Sequence, residues 1–127
     1  MTQSVKTIRF MVSSEGVIRD SRTDLEWVVG PDRDTNYPQA EQWVANCTVM
    51  GGGWRMPTRQ ELITIYQQEW WGMKLDSVFK TTGYYVWAEP SDSSSAWYFD
   101  FFRGGDILED RFNSYRGRGF GVRSRPR

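Results

Sequence analysis

Residues 52–62 read GGWRMPTRQEL, and this stretch holds the clearest structural signals in the chain. Thr58 is followed three residues later by Glu61, which is the spacing of a capping box, and Pro57 stands just outside it. The spacing predicts a helix that begins at Thr58 and fades by residues 70–71. We expect its apolar side to consist of Leu62, Ile63, Ile65 and Tyr66.

A first helix is predicted upstream of that stretch, over about residues 37–49. Pro38 suits its first turn, where a missing N–H costs nothing. The glycines at 51–53 end this helix, and Trp54 is expected to fill the core. A phosphate cradle is not indicated, because the glycines follow a helix and no Lys-Ser/Thr comes after them. The residues at helical spacing mark the buried face; they are Ala40, Trp43, Val44 and Cys47.

Short apolar and aromatic runs predict strands on both sides of the two helices. These runs cover residues 7–12, 17–18, 25–29, 84–88, 96–102, about 107–112 and 119–123. Two early helices with antiparallel strands late in the chain form an α+β arrangement, not a βαβ alternation. With no internal repeat and no long linker, we expect one domain over residues 1–127.

The charges are balanced overall but unevenly distributed. The formal net charge is zero, which argues against a general nucleic-acid-binding protein. Residues 111–127 hold six Arg and no Asp or Glu. The guanidinium fork suits carboxylate, sulfate or phosphate groups. In the alternative interpretation, several of these Arg pair with acids of the chain itself, such as Asp106, Glu109 and Asp110.

Catalytic chemistry has little support in the sequence. The chain has no His, so a Ser or Cys nucleophile lacks the usual base. Cys47 is the single cysteine, which excludes an intrachain disulfide and predicts a buried structural thiol. The acidic residues are scattered over loops, and no pair of them is indicated by the sequence for general acid–base catalysis. We therefore expect no enzyme, no catalytic residue and no cofactor, in a soluble chain without a signal peptide or membrane span.

Asp32, Asp34 and Asn36 place oxygen ligands at alternate loop positions, as a calcium loop does. An EF-hand would then need Gly and Glu where this chain has Tyr37 and Trp43. The alternative is a polar turn that leads to the cap of the first helix. We expect the turn, and no metal site.

In the aromatic stretch at 97–102, the two faces of the predicted strand are only partly distinguished by alternation of residue types. Trp97, Phe99 and Phe101 would face one side of a strand, and the residues between them the other. We expect one side to be core and the other to present an aromatic and acidic set close to Arg103. Aromatic, Arg and Asp side chains together suit sugar or peptide recognition, although a packing role is the alternative.

Several motifs, taken in order, resemble the Lcl C-terminal domain family, named from the end of a bacterial collagen-like adhesin. The resemblance covers about residues 16–124. GGWRxPTxxEL is quite specific, whereas GFxVR is shared with related domains, including variable proteins diversified by retroelements. The motifs are GVIRD at 16–20, TDLEW at 23–27, GGWRMPTRQEL at 52–62, YVW at 85–87, AWYFDF at 96–101 and RGFGVR at 118–123.

The resemblance implies a C-type-lectin-like fold, with two helices packed on small antiparallel sheets. Members are mostly bacterial or phage modules, often extracellular or cell-surface, that bind glycans or proteins. Their ligand surface is usually built from the late loops and strands, here about residues 88–118. Within it we predict a ligand-contact set of Trp97, Phe102, Arg103, Arg111, Asn113, Tyr115, Arg116 and Arg118.

Two departures from the family pattern matter. Relatives often carry a cysteine at the position of Ser124, which could pair with one like Cys47. Calcium-dependent lectins use a Glu-Pro-Asn loop and a Trp-Asn-Asp strand, whereas residues 89–91 read EPS and WND is absent. The sequence therefore predicts a non-enzymatic module that binds a glycan, anionic polysaccharides included, without calcium. The alternative is a protein-recognition or assembly module, with homo-oligomers among its partners.

Overall fold

The computed structural model describes residues 8–69 and 71–125. This part of the chain is α+β, with two α-helices and two four-stranded sheets. The helices are α1 (Tyr37–Asn46) and α2 (Arg59–Thr64). The strands are β1 (Phe10–Val12), β2 (Ile18–Asp20), β3 (Leu25–Val29), β4 (Tyr85–Pro90), β5 (Ser95–Asp100), β6 (Gly105–Asp110), β7 (Gly117–Arg118) and β8 (Phe120–Ser124).

The first sheet joins the beginning of the chain to its end. Its strand order is β1-β2-β3-β8, and Trp27 of β3 lies opposite Val122 of β8. The second sheet has the order β6-β5-β4-β7, antiparallel except for the short parallel pair β4·β7. The α+β prediction is therefore confirmed, and β8 closes the first sheet against a strand that lies almost a hundred residues earlier.

Helix α1 begins where it was predicted and ends earlier. Asn36 accepts from the backbone N–H of Gln39, whose side chain accepts from Asn36 in return, so both form a capping box. The predicted end at residue 49 was wrong, because Cys47 takes an extended conformation and a separate 3-10 turn forms at Val49–Gly51. Cys47 is half-buried, less than predicted.

Helix α2 has the predicted capping box. The Thr58 hydroxyl accepts from Glu61 N at 3.1 Å, and the Glu61 carboxylate accepts from Thr58 N at 2.9 Å. The helix is shorter than predicted, because the chain turns back and Tyr66 pairs with Leu75 in an isolated bridge. Ile63 is 56% exposed, so it is not part of the buried side.

The strand boundaries shift at specific places. The strand predicted over 96–102 ends at Asp100, because its carboxylate accepts from the backbone N–H groups of Phe102 and Arg103 and closes a turn. On the side predicted to present an aromatic and acidic set, Tyr98 and Asp100 are buried, so that part of the prediction was wrong, whereas Phe102, just beyond the end of the strand, is 48% exposed. The predicted first strand included Thr7, the predicted second helix reached Trp70, and the Arg-rich segment included Arg127. These three residues lie outside the described part of the chain.

The family motifs meet at one point of the fold. Glu26, fully buried, accepts from Arg123 Nε at 2.9 Å. The Arg123 guanidinium donates to the carbonyls of Met50 and Gly52 and lies 4.1 Å from the centre of the Trp54 ring. Distant segments are thus fixed to each other, and Trp54 is buried as predicted. These motif residues build the fold.

Candidate ligand-binding surface

Four aromatic rings and one guanidinium come together at one end of the second sheet. We call this group the aromatic–arginine cluster; it consists of Tyr84, Tyr85, Phe102, Tyr115 and Arg116. The ring of Tyr84 lies 4.6 Å from that of Tyr85 and 5.7 Å from that of Phe102. The Arg116 guanidinium lies 5.7 Å from the Tyr84 ring and 5.8 Å from the Tyr115 ring. Phe102 is 48% and Tyr115 60% exposed, so the cluster faces solvent.

The turn after β5 fixes Phe102 and Arg103. The Asp100 carboxylate accepts from both backbone N–H groups, at 2.8 and 3.1 Å. Gly104 closes the turn with φ 80°, where a Cβ would overlap the ring of Tyr66. Lys74 donates to the Phe102 carbonyl at 3.0 Å from the other side. The backbone that carries Phe102 and Arg103 is therefore held at several points.

Arg116 occupies a strained backbone position. Its φ is 55°, a left-handed conformation that non-glycine residues rarely adopt. Its N–H donates to the Asp34 carboxylate at 3.2 Å, and its carbonyl accepts from Tyr85 N at 3.2 Å. The Asn113 side chain accepts from Tyr115 N at 3.0 Å. These bonds preorganise the loop that presents Tyr115 and Arg116.

Arg118 lies beneath this loop and is only 4% exposed. Its guanidinium pairs with Asp32 at 2.8 Å and Asp34 at 3.1 Å, and donates to the Thr82 hydroxyl at 3.3 Å. The Thr82 N–H, with the guanidinium of Arg118, lowers the pKa of Asp32 to about 2. Arg118 was predicted to contact ligand directly; its position gives it the role of supporting the loop.

The side chains that were considered as calcium ligands all have partners within the chain. The carboxylates of Asp32 and Asp34 are engaged by Arg118, and Asn36 caps α1. The expected polar turn before the cap is therefore confirmed. Within the described ranges, no group of three or more acidic, Cys or His residues is arranged to hold a metal ion.

The structure separates the other predicted contact residues from the cluster. Trp97 lies on the opposite face of β5, half-buried, with the Arg59 guanidinium 4.1 Å above its ring. Arg111 lies 4.8 Å from the Tyr37 ring and donates to the Ser95 carbonyl at 3.2 Å. Of the predicted set, Phe102, Tyr115 and Arg116 therefore come together. Arg103 follows Phe102 in the same turn, and Asn113 supports the loop of Tyr115.

Sequence reasoning missed the tyrosines that line the base of the surface. Tyr85 stacks on Tyr98 with ring centres 4.5 Å apart and planes 4° from parallel. Burial raises the pKa of both hydroxyls, and the nearby Glu109 carboxylate raises that of Tyr98 further. Tyr84 and Tyr85 were placed only in a predicted strand. Their role depends on the parallel β4·β7 pairing, for which a two-residue strand gives no sequence signal.

Several C-terminal Arg pair with acids of the chain, as the alternative interpretation expected. The acids differ from the predicted ones, since Arg118, Arg123 and Arg125 pair with residues of the first 34 positions. Arg103 and Arg116 form no ion pair within residues 8–69 and 71–125, and both are exposed. The Tyr115 hydroxyl further raises the pKa of Arg116. These two cations are available to an anionic ligand group.

Comparison with known proteins adds the family. Residues 16–120 match the model of the Lcl C-terminal domain. The chain belongs to that family. The match confirms the resemblance predicted from the motifs and ends at Phe120, shortly before the predicted boundary at 124. No curated protein matches this Lcl C-terminal domain.

In the part of the chain that the structure describes, neither helix has the length and apolar character needed to cross a bilayer.

Proposed function

We propose that this Lcl C-terminal domain is a non-enzymatic module that binds a glycan, anionic polysaccharides included, through the aromatic–arginine cluster. The observation that supports this most is that the exposed Arg116 guanidinium lies 5.7 Å from the Tyr84 ring and 5.8 Å from the Tyr115 ring and forms no ion pair with the described residues. Flat aromatic faces suit stacking against sugar rings, and a guanidinium suits carboxylate or sulfate groups.

The surface also has the preorganisation that specific binding needs. The loop carrying Arg116 is fixed by Asp34 and Tyr85, and the turn carrying Phe102 by Asp100. A ligand therefore meets side chains whose backbone is already ordered, which lowers the entropic cost of binding. The base of the surface adds the paired tyrosines Tyr85 and Tyr98.

The C-type-lectin-like fold is part of the same proposal. Two features support it: two helices precede the late strands, and the last strand returns to β3 near the beginning of the chain. The proposal includes neither a cofactor nor a calcium ion, because Asp32 and Asp34 are both paired with Arg118.

Protein recognition by the same region is the second candidate. Phe112 is 69% exposed in the loop that leads to Tyr115. An exposed Phe beside Tyr and Arg is typical of the centre of protein interfaces. A protein partner would use Phe112, whereas the glycan proposal does not require it.

A glycan array that includes sulfated polysaccharides tests the proposal. The folded chain is applied at low and at physiological salt, with and without calcium. We expect binding to an anionic subset that weakens as salt rises, because exposed Arg charges are screened, and that does not depend on calcium. A folded sample that binds no glycan would contradict the proposal and favour a protein partner.

A further inference from the structure

The face of the second sheet opposite the cluster carries a separate exposed apolar centre. Trp97 of β5 and Leu108 of β6 are cross-strand partners on this face. Leu108 is 48% exposed, and Trp97 is half-buried under the Arg59 guanidinium at 4.1 Å. Trp and Arg are the residues that most often dominate binding energy at protein interfaces. This centre is therefore a candidate for contact with another protein chain.

A guanidinium stands at one margin of this centre and two carboxylates stand at the other. On the α2 side, Arg59 is held by Glu89 through its Nε at 3.2 Å. The terminal guanidinium nitrogens of Arg59 form no hydrogen bond within the described residues. On the β6 side, Asp106 and Asp110 flank Leu108 at a spacing of two, which puts them on the same face. Both acids are exposed, and neither forms an ion pair in the described part of the chain.

We propose that this surface docks a second copy of the chain about a two-fold axis. We name it the Trp97 patch; it consists of Trp97, Leu108, Arg59, Asp106 and Asp110. A two-fold interface uses the same patch on both subunits, so the patch must be complementary to itself. A rotation of 180° sets the Arg59 margin of one copy against the Asp106 and Asp110 margin of the other. The apolar centres then meet between two charge-complementary contacts.

The outer edge of β6 is not the route of association. Glu109 accepts from the Asp110 N–H at 2.8 Å, and the Asp110 carbonyl accepts from Asn113 N at 3.1 Å, so part of the edge is already occupied. Antiparallel pairing of two β6 strands about Leu108 would also bring Asp106 against Asp110. Like charges directly opposite each other destabilise such a pair. The proposal therefore concerns the face of the strand.

The proposal is independent of the glycan-binding function, because the two surfaces lie on opposite faces of β5. A dimer formed through the Trp97 patch leaves both aromatic–arginine clusters exposed. It would then bind a repeating polysaccharide at two points and gain avidity. The failure of one proposal leaves the other standing.

Sedimentation velocity over a concentration series tests the association. We expect a reversible dimer for the unmodified chain. Leu108→Glu introduces a charge at the apolar centre and should raise the dimer dissociation constant by on the order of tenfold or more. The matched control is Met11→Glu, because Met11 is 64% exposed on the first sheet. This control and Arg116→Ala should both dimerise like the unmodified chain.

A charge-exchange pair makes the test specific to the orientation. One variant carries Arg59→Glu, and the other carries Asp106→Arg with Asp110→Arg. Each alone should dimerise weakly, and an equimolar mixture should restore the dimer, because both contacts of the mixed dimer are attractive. Circular dichroism and a melting curve establish the fold of every variant, and Leu108→Glu decides the question if Arg59→Glu fails to fold. A folded chain that stays monomeric at every concentration, or a dimer that Leu108→Glu leaves unchanged, would overturn the proposal.

Discussion

Arg118 and Asp32 form a 2.8 Å ion pair that ties the last part of the chain to the loop before α1. The guanidinium side is buried, whereas the carboxylate side remains partly exposed. Asp34 extends the same network to the backbone of Arg116, the exposed cation of the cluster. The stability of the fold and the shape of the candidate surface therefore depend on one network.

Replacing Arg118 with Ala should destabilise the fold and weaken ligand binding together. The change removes the partner of Asp32 and Asp34, and we expect the free energy of unfolding to fall by about 2 kcal/mol. The loss stays below that of a fully buried pair, because both carboxylates keep contact with solvent. Chemical denaturation measures the effect. Arg125→Ala is the control, because that pair is exposed and 3.9 Å apart; an equal loss there would contradict the role of the network.

The network should also make the free energy of unfolding depend on pH in the acidic range. The pKa of Asp32 is lowered from 3.8 to about 2 in the folded state. A lowered pKa means that the contribution is fully present above pH 3.8 and is lost as the pH falls through about 2. The difference in unfolding free energy between the unmodified chain and Asp32→Asn should therefore shrink between these values. A difference that stays constant over this range would show that the carboxylate charge is not responsible.

Gly117 should tolerate no side chain. A Cβ at this position would overlap the Thr35 carbonyl, which also accepts from the Trp87 indole at 2.8 Å. We expect Gly117→Ala to lower the free energy of unfolding by about 2 kcal/mol, because the backbone must move apart. Thermal melting checks this. Gly105→Ala serves as the control, since a Cβ there meets no atom within 4 Å and should change stability little.

The Glu26–Arg123 pair should contribute more to stability than the neighbouring Arg19 contact. Glu26 is buried and lies 2.9 Å from Arg123, whose side chain is 11% exposed, whereas the Arg19 side chain is 41% exposed at 3.3 Å from Glu26. Arg123→Ala removes the partner of a buried carboxylate and the hydrogen bonds to the carbonyls of Met50 and Gly52. We expect this change to lower the free energy of unfolding by about 3 kcal/mol. Arg19→Ala should cost clearly less in the same denaturant series. The reverse order would contradict the assigned role of the family motif.

The sequence predicted those elements well whose stabilising contacts join residues that are close together in the chain. The capping box at Thr58 and Glu61 lies within four residues, and the β3 strand was predicted with its observed bounds. The end of α1 was misplaced, because nothing in the sequence around Cys47 shows the extended cap that precedes the 3-10 turn.

The candidate site was predicted only in part, because some of its residues are positioned by partners that lie far away in the sequence. Phe102, Arg103, Tyr115 and Arg116 were chosen as aromatic and Arg residues within the late segment that the family resemblance implies as the ligand surface, since aromatics and Arg are enriched at binding surfaces. Arg118 could not be told from Arg116 by composition. What distinguishes it is an acid 86 residues earlier in the chain, and only tertiary structure brings Asp32 to it.

The most direct test of the aromatic–arginine cluster is isothermal titration with the glycan that binds most tightly on the array. It compares the unmodified chain with Arg116→Ala and with Arg22→Ala, since Arg22 is also exposed but lies in the turn between β2 and β3. We predict that Arg116→Ala weakens binding by on the order of tenfold or more, while Arg22→Ala binds like the unmodified chain. Equal affinities for all three folded proteins would contradict the cluster as the binding site.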